Sequence, residues 1–165
     1  FLRIRRPPCS TLFTSTTLFR SRDFLDEQPI FDIPTSTGQI RQMIHVGHLE
    51  FILDDQEYRL AALVSEGDGL FVPFRDQTSG GDTYPAGRYL DLPYSNTGIY
   101  DLDFNRAYHP TCYFDEQFDC PFPPPENRLP TSILAGEKLP PEDEQRIPLT
   151  SVDESSTNST NNPNP

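Results

Sequence analysis

Glycine is scarce in this 165-residue chain, at 9 against 18 prolines, tryptophan is absent, and methionine occurs once. No glycine-rich phosphate loop and no dinucleotide-binding fingerprint are present, so the common nucleotide cradles are excluded. Bases are also few. After residue 22 the chain has 25 acids against 8 bases, a poor match for a nucleic-acid backbone, which is bound by releasing counterions from Lys and Arg. No apolar run approaches the ~20 residues that a membrane-spanning helix requires. The hydrophobic share of 35% is low, which implies that part of the chain stays out of any core.

The ends differ from the middle. Residues 1–22 hold five Arg and no acid, and the chain opens on Phe1. The run Thr16-Thr17-Leu18-Phe19-Arg20-Ser21 resembles the in-frame translation of a sequencing adaptor. Residues 1–22 are therefore expected to be unstructured and to carry no function. A secretory signal is disfavoured because Ser10, Thr11, Thr14, Ser15, Thr16 and Thr17 interrupt any apolar stretch. An Arg/Ser/Thr-rich presequence remains open on composition, and the compartment is not readable. Residues 139–165 are dominated by Pro, acids, Ser, Thr and Asn. They bury too little apolar area to offset ordering entropy and are expected to be disordered.

Residues 23–138 read as one β-domain. Short apolar runs alternate with turn residues, and no segment keeps helical periodicity over ten residues. Strands are expected at 30–33, 39–46, 49–53, 58–64, 70–76, 88–92 and 99–105. Gly47 marks a bend or bulge, Asp54-Asp55-Gln56-Glu57 a turn, and Gly67-Asp68-Gly69 a tight hairpin. Leu49, Phe51 and Leu53 share one face. The expected fold is all-β: a single antiparallel sandwich or partly closed barrel of about seven short strands. Residues 77–87 form a Gly/Thr/Ser-rich exposed loop, and Pro121 to Pro125 run as an extended strap.

Three ordered blocks carry a family resemblance. The first is Phe71-Val72-Pro73-Phe74-Arg75-Asp76, continuing through Thr78-Ser79-Gly80, Thr83-Tyr84 and Gly87-Arg88-Tyr89-Leu90. The second is Leu102-Asp103-Phe104-Asn105-Arg106-Ala107-Tyr108 with Pro110 and Cys112. The third is Cys120-Pro121, Pro123-Pro124-Pro125-Glu126-Asn127-Arg128-Leu129 and Ala135-Gly136-Glu137-Lys138. Together they resemble a bacterial family known as domain of unknown function 1684. That resemblance implies a fold context and no activity.

Candidate chemistry gathers where these blocks meet. Alternation places Asp101, Asp103 and Asn105 on one face of a strand, with Leu102 and Phe104 turned toward the core. Asp76, Asp101 and Asp103 are the candidate catalytic carboxylates, and Arg75, Arg88, Tyr84 and Asn105 the candidate binding residues. The competing reading is that the acids pair with Arg75, Arg88 and Arg106, whose forked guanidinium suits carboxylates. His109, Cys112 and Cys120 have a spacing without the C-x2-C knuckle of structural zinc, so no metal is assigned. Cys112 and Cys120 flank one loop and are a possible disulfide, the alternative being two buried thiols. Ser79 lacks the G-x-S-x-G elbow, and His45 and His48 read as partly exposed strand residues.

Two functions follow. The first is a non-catalytic binding or structural module with no cofactor. The alternative is a hydrolase, with glycans as the candidate substrate, using rim carboxylates near Tyr84 and Tyr89.

Overall fold

The structure is a computed structural model; it describes residues 29–64, 69–93, 95 and 97–140, together with the backbone of 16–17. Five strands form an open up-and-down sheet: β2 (Ile30–Pro34), β3 (Ile40–Leu53), β4 (Gln56–Val64), β5 (Gly69–Phe74) and β6 (Arg88–Pro93). Each pairs antiparallel with its chain neighbour. A second, two-residue ladder joins β1 (Thr16–Thr17) to β7 (Tyr100–Asp101). The antiparallel all-β expectation therefore holds, but the sheet is not closed into a barrel.

Turn chemistry explains the meander. Asp54 and Asp55 both have positive φ, 49° and 60°, the twist that a two-residue hairpin needs to return β3 into β4. The register of β3 on β4 shifts between His45 and Gly47, so Val46 is an extra residue in a bulge. The bulge keeps β3 continuous across the bend expected at Gly47. The hairpin expected at Gly67-Asp68-Gly69 falls mostly outside the described residues, although Val64 pairs with Leu70 on either side of it.

Both faces of the sheet are covered. On one, Leu49, Phe51 and Leu53 of β3 meet Leu60, Val72, Phe74 and Leu90, capped by Leu102, Phe104, Leu129 and Ile133. Burying a side chain of this size contributes roughly 1.5–3 kcal/mol, so this cluster supplies most of the fold's apolar stabilisation. On the other face, Ile33, Leu63, Phe71 and Tyr89 pack with Cys112 and Cys120. The strand expected over 99–105 ends at Asp101, because the Asp103 carboxylate accepts the Asn105 N–H at 3.0 Å and starts a 3-10 turn, Phe104–Arg106.

Loops cover the two sheet edges, where unpaired backbone groups invite aggregation. Along β2, Phe122 N–H donates to Pro34 at 2.8 Å and Ser36 N–H to Cys120 at 2.9 Å. Along β6, Tyr89 and Tyr108 exchange backbone bonds at 2.9 and 3.0 Å. The Tyr89 hydroxyl then donates to the Pro121 carbonyl at 2.6 Å, so the proline strap ties the two edges together.

A third contact fixes the strap's far end. The β4–β5 ladder holds only at Leu63 and Val64, which leaves the Ala61 backbone without a strand partner on that side. Buried Asn127 fills the gap. Its Oδ1 accepts the Ala61 N–H at 2.6 Å, and its Nδ2 donates to Ala61 and Pro73 carbonyls at 2.9 and 2.7 Å. The 3-10 turn Pro125–Asn127 is thus pinned between two strands.

Candidate functional site

Among the described residues, three places gather reactive side chains. The first is the expected rim, of which the centre is sealed. Arg88 is 1% exposed, an unusual place for a guanidinium. It donates to the carbonyls of Ala135, Ile133 (2.8 Å) and Glu137 (3.3 Å), and to Asp76 at 3.4 Å. Its guanidinium carbon lies 5.3 Å from the centre of the Phe74 ring. Burial lowers its pKa, while the Asp76 carboxylate and then Glu137 oppose that shift. Asp76 also accepts the Ile133 N–H at 2.6 Å and the Thr78 hydroxyl at 2.9 Å. Apart from the local bonds of Asp76 to Thr78 and Ser79, the bonds of this pair join one chain segment to another.

The other rim candidates disperse. Asp101 is exposed on β7, and Asp103 is occupied by its own turn, accepting from Asn105 through both backbone and side chain. Neither opposes Asp76 as a hydrogen-bonded or ion-paired partner. The loop at 77–87 is not wholly exposed either: Thr78 and Thr83 are buried and share a 2.9 Å hydroxyl bond.

The second place surrounds Tyr84, which packs against His109 and Tyr113. His109 is buried, its Nε2 accepts the Tyr84 N–H at 3.4 Å, and its Nδ1 stands 3.8 Å from Glu137. That pattern puts the proton on Nδ1. Burial holds the imidazole below its usual pKa; Glu137 acts the other way, and Arg88 weakly adds to the lowering. Cys112 and Cys120 are neighbours, the Cys112 N–H pointing at the Cys120 sulphur 3.2 Å away, and both are buried free thiols rather than a disulfide. Burial, foremost, pushes the Cys120 thiol up to about 11, so it is protonated at neutral pH and a poor nucleophile.

The third place is a cleft of about 980 Å³ between β2 and the proline strap. Ile30, Phe31, Phe122 and the prolines at 123–125 form apolar walls, and Arg75, Arg128, Asp32 and Glu126 supply charge, Asp32 accepting from Gln42 at 3.1 Å. A parallel bridge sets Arg75 beside Arg128. Among the described residues neither guanidinium has a hydrogen-bond or ion-pair partner, whereas Glu126 accepts from His48 at 3.1 Å. His45 lies behind this wall, stacked on Phe31 with ring centroids 4.6 Å apart. It is 3% exposed, not the partly exposed strand residue that its sequence context suggests. Burial, then the His48 ring, lowers its pKa; Glu126 and the Gly47 backbone oppose this, though Gly47 is outside hydrogen-bonding geometry.

The candidate list thus contains Arg75 of this cleft but not Arg128, Phe122 or Glu126. The signal available for them was the strap itself, a proline run that presents side chains along a rigid edge.

An open antiparallel sheet, laced by a proline strap over an arginine-bearing cleft, defines a class of β-domain. The chain belongs to the family described as protein of unknown function (DUF1684), whose sequence profile matches residues 12–138. The match starts inside the segment that resembles an adaptor. A similar solved structure is the solution NMR structure of an uncharacterised protein from Haloarcula marismortui. It is 34% identical with a TM-score of 0.55, over 76% of this chain and 69% of that one. No curated protein matches. Among the described residues, no helix is long and apolar enough to cross a membrane.

Proposed function

We propose that the domain is a non-catalytic binding module for a small molecule with an apolar body and a carboxylate or phosphate group. One observation carries this reading: two arginines set side by side by a backbone bridge, Arg75 and Arg128, line an apolar cleft, and neither guanidinium has a partner among the described residues. The cleft's volume lies in the range of small-ligand sites, roughly 300–1,000 Å³. Arginine's planar fork binds carboxylate and phosphate in bidentate fashion, which gives such a ligand its orientation. Phe31, Phe122 and the prolines would take its apolar part.

The hydrolase alternative draws less support. It needs two carboxylates facing each other across a cleft, and its three candidates are a closed ion pair, an exposed strand residue and a turn cap.

The test is a calorimetric screen of aromatic and aliphatic carboxylates and phosphates, each beside its neutral amide or alcohol. Acids should bind, their neutral partners should not, and Arg75→Met and Arg128→Met should each remove most of the affinity. Equal binding of acids and neutral partners, or affinity that survives both substitutions, would refute the proposal.

A further inference from the structure

His45 and His48 are three apart on β3, a spacing that normally sends strand side chains to opposite faces. The bulge changes that. With Val46 as the extra residue, His45 comes opposite Leu63 and His48 opposite Ala61, positions two apart on β4. Residues two apart share a face, so their cross-strand partners share it too. The two rings indeed meet edge to face, 4.7 Å between centroids.

A third donor arrives from the strap. Asn127 pins its turn to Ala61, the residue opposite His48, and so delivers the preceding residue, Glu126, over that histidine. One ring nitrogen from each histidine and one carboxylate oxygen of Glu126 lie within 4.8 Å of one another. Among the described residues this is the group of His, Cys, Asp or Glu donors gathered closely enough to hold an ion; His109, Cys112 and Cys120 are not so gathered.

We propose that His45, His48 and Glu126 form a binding site for a divalent transition-metal ion of the zinc type. The independent observation is His45. Its side chain is enclosed, and neither ring nitrogen has a hydrogen-bond partner among the described residues. A buried polar atom left in that condition is destabilising unless something ligates it. Two imidazoles and a carboxylate form a donor set suited to zinc and its neighbours rather than to calcium or magnesium, which prefer oxygen. With metal–ligand bonds of about 2.0–2.2 Å, one ion would bring the three donors together by side-chain adjustments of roughly an ångström. Three protein ligands leave room for a further ligand, and Glu126 also belongs to the cleft wall. The site stands on its own residues and does not depend on the anionic-ligand reading of the cleft.

The experiment titrates the tag-free, metal-stripped full chain with Zn(II) by calorimetry and with Co(II) by visible absorption. Saturable one-to-one binding is expected, with cobalt ligand-field bands. His48→Gln and Glu126→Gln should each weaken Zn(II) at least about tenfold, since residues that merely orient a ligand already cost 10–100-fold. Both side chains are partly exposed, at 20% and 32%, so these variants should fold; unchanged circular dichroism would establish that. Long-range nitrogen–proton NMR should show the His45 ring nitrogens shifting with Zn(II). Absent saturation, affinity unchanged in both variants, or unmoved His45 nitrogens would each overturn the proposal.

Discussion

Arg75 and Asp76 are consecutive, yet they belong to opposite kinds of environment. Asp76 points into a closed network with Arg88, Thr78 and the backbone of Ile133, its side chain 1% exposed. Arg75 borders an open cleft with its charge unmatched among the described residues. Alternation along the chain produces the division, because neighbouring residues of an extended segment face opposite ways. The contrast separates two uses of charge. Where each donor and acceptor is a piece of the same chain, charge holds segments together. Where a charge faces a cavity without a partner, it is available to a ligand.

The sealed side should show the larger mutational effect. Arg88→Met would leave Asp76 buried without its cation and remove the donor to the carbonyls of Ala135, Ile133 and Glu137. Removing one member of a buried pair costs about 3–5 kcal/mol. Urea denaturation should register that loss. A loss below about 1 kcal/mol would mean that the network is not a scaffold and that the contrast with Arg75 is misdrawn.

Asn127 joins the two sides, since its turn carries both the sheet contact and the cleft residues Glu126 and Arg128. Asn127→Ala would strand the buried Ala61 N–H and two carbonyls. The expected cost is about 2–3 kcal/mol, given about 1–3 kcal/mol for each buried group left unsatisfied, part of which relaxation recovers. The same variant should loosen the cleft, seen as increased hydrogen exchange at Ala61 and Arg75, whose N–H groups bond to Asn127. Exchange unchanged at Ala61 would contradict the anchoring role.

How much of this was legible beforehand follows from the range of the interactions involved. Leu49, Phe51 and Leu53 are buried together, as two-residue alternation indicates, and Leu102 and Phe104 are in the core as their spacing requires. The acidic turn after Leu53 and the bulge at Gly47 were readable because turn chemistry is local. The Arg88–Asp76 pair was among those expected, although not its burial. The cleft was not readable: Asn127 contacts Ala61 across 66 residues, and no local pattern encodes which loop covers which sheet edge. His45 was misjudged for the same reason. Its burial is set by Phe31 from another strand, and its alignment with His48 depends on the register that the bulge creates.

A smaller effect should appear with pH on the sealed side. His109 is held below the ordinary imidazole pKa, chiefly by burial. On lowering the pH through 6.5 the unfolded chain takes up this proton before the native protein does. Stability is therefore fully present above pH 6.5 and falls as the pH drops toward the native pKa, by at most about 1.4 kcal/mol per pH unit. His109→Gln removes the titrating group, so its stability between pH 7 and 5 should decline less steeply than the parent's. Parallel profiles would show that His109 takes its proton in the native protein as readily as in the unfolded chain.

The smallest expected change in stability is at Arg75, and it tests the contrast most directly. No side-chain bond holds its guanidinium to another described residue, while its backbone is fixed through Asn127 and Leu129 at 2.9 and 2.7 Å. Arg75→Met preserves those backbone bonds and most of the aliphatic stem. Surface substitutions away from special features stay within about 0.5 kcal/mol, and this one should too. Its consequence should instead appear in the affinity for an anionic ligand, which the neighbouring Arg88 does not reach because its guanidinium is sealed inside the fold, with both terminal nitrogens bonded to Asp76 and to backbone carbonyls. If Arg75→Met destabilised the fold as strongly as Arg88→Met, the two arginines would share a structural role, and the cleft would lose its claim to be the binding face. If stability holds and acid binding is lost, consecutive residues 75 and 76 divide the domain's charge between recognition and scaffold.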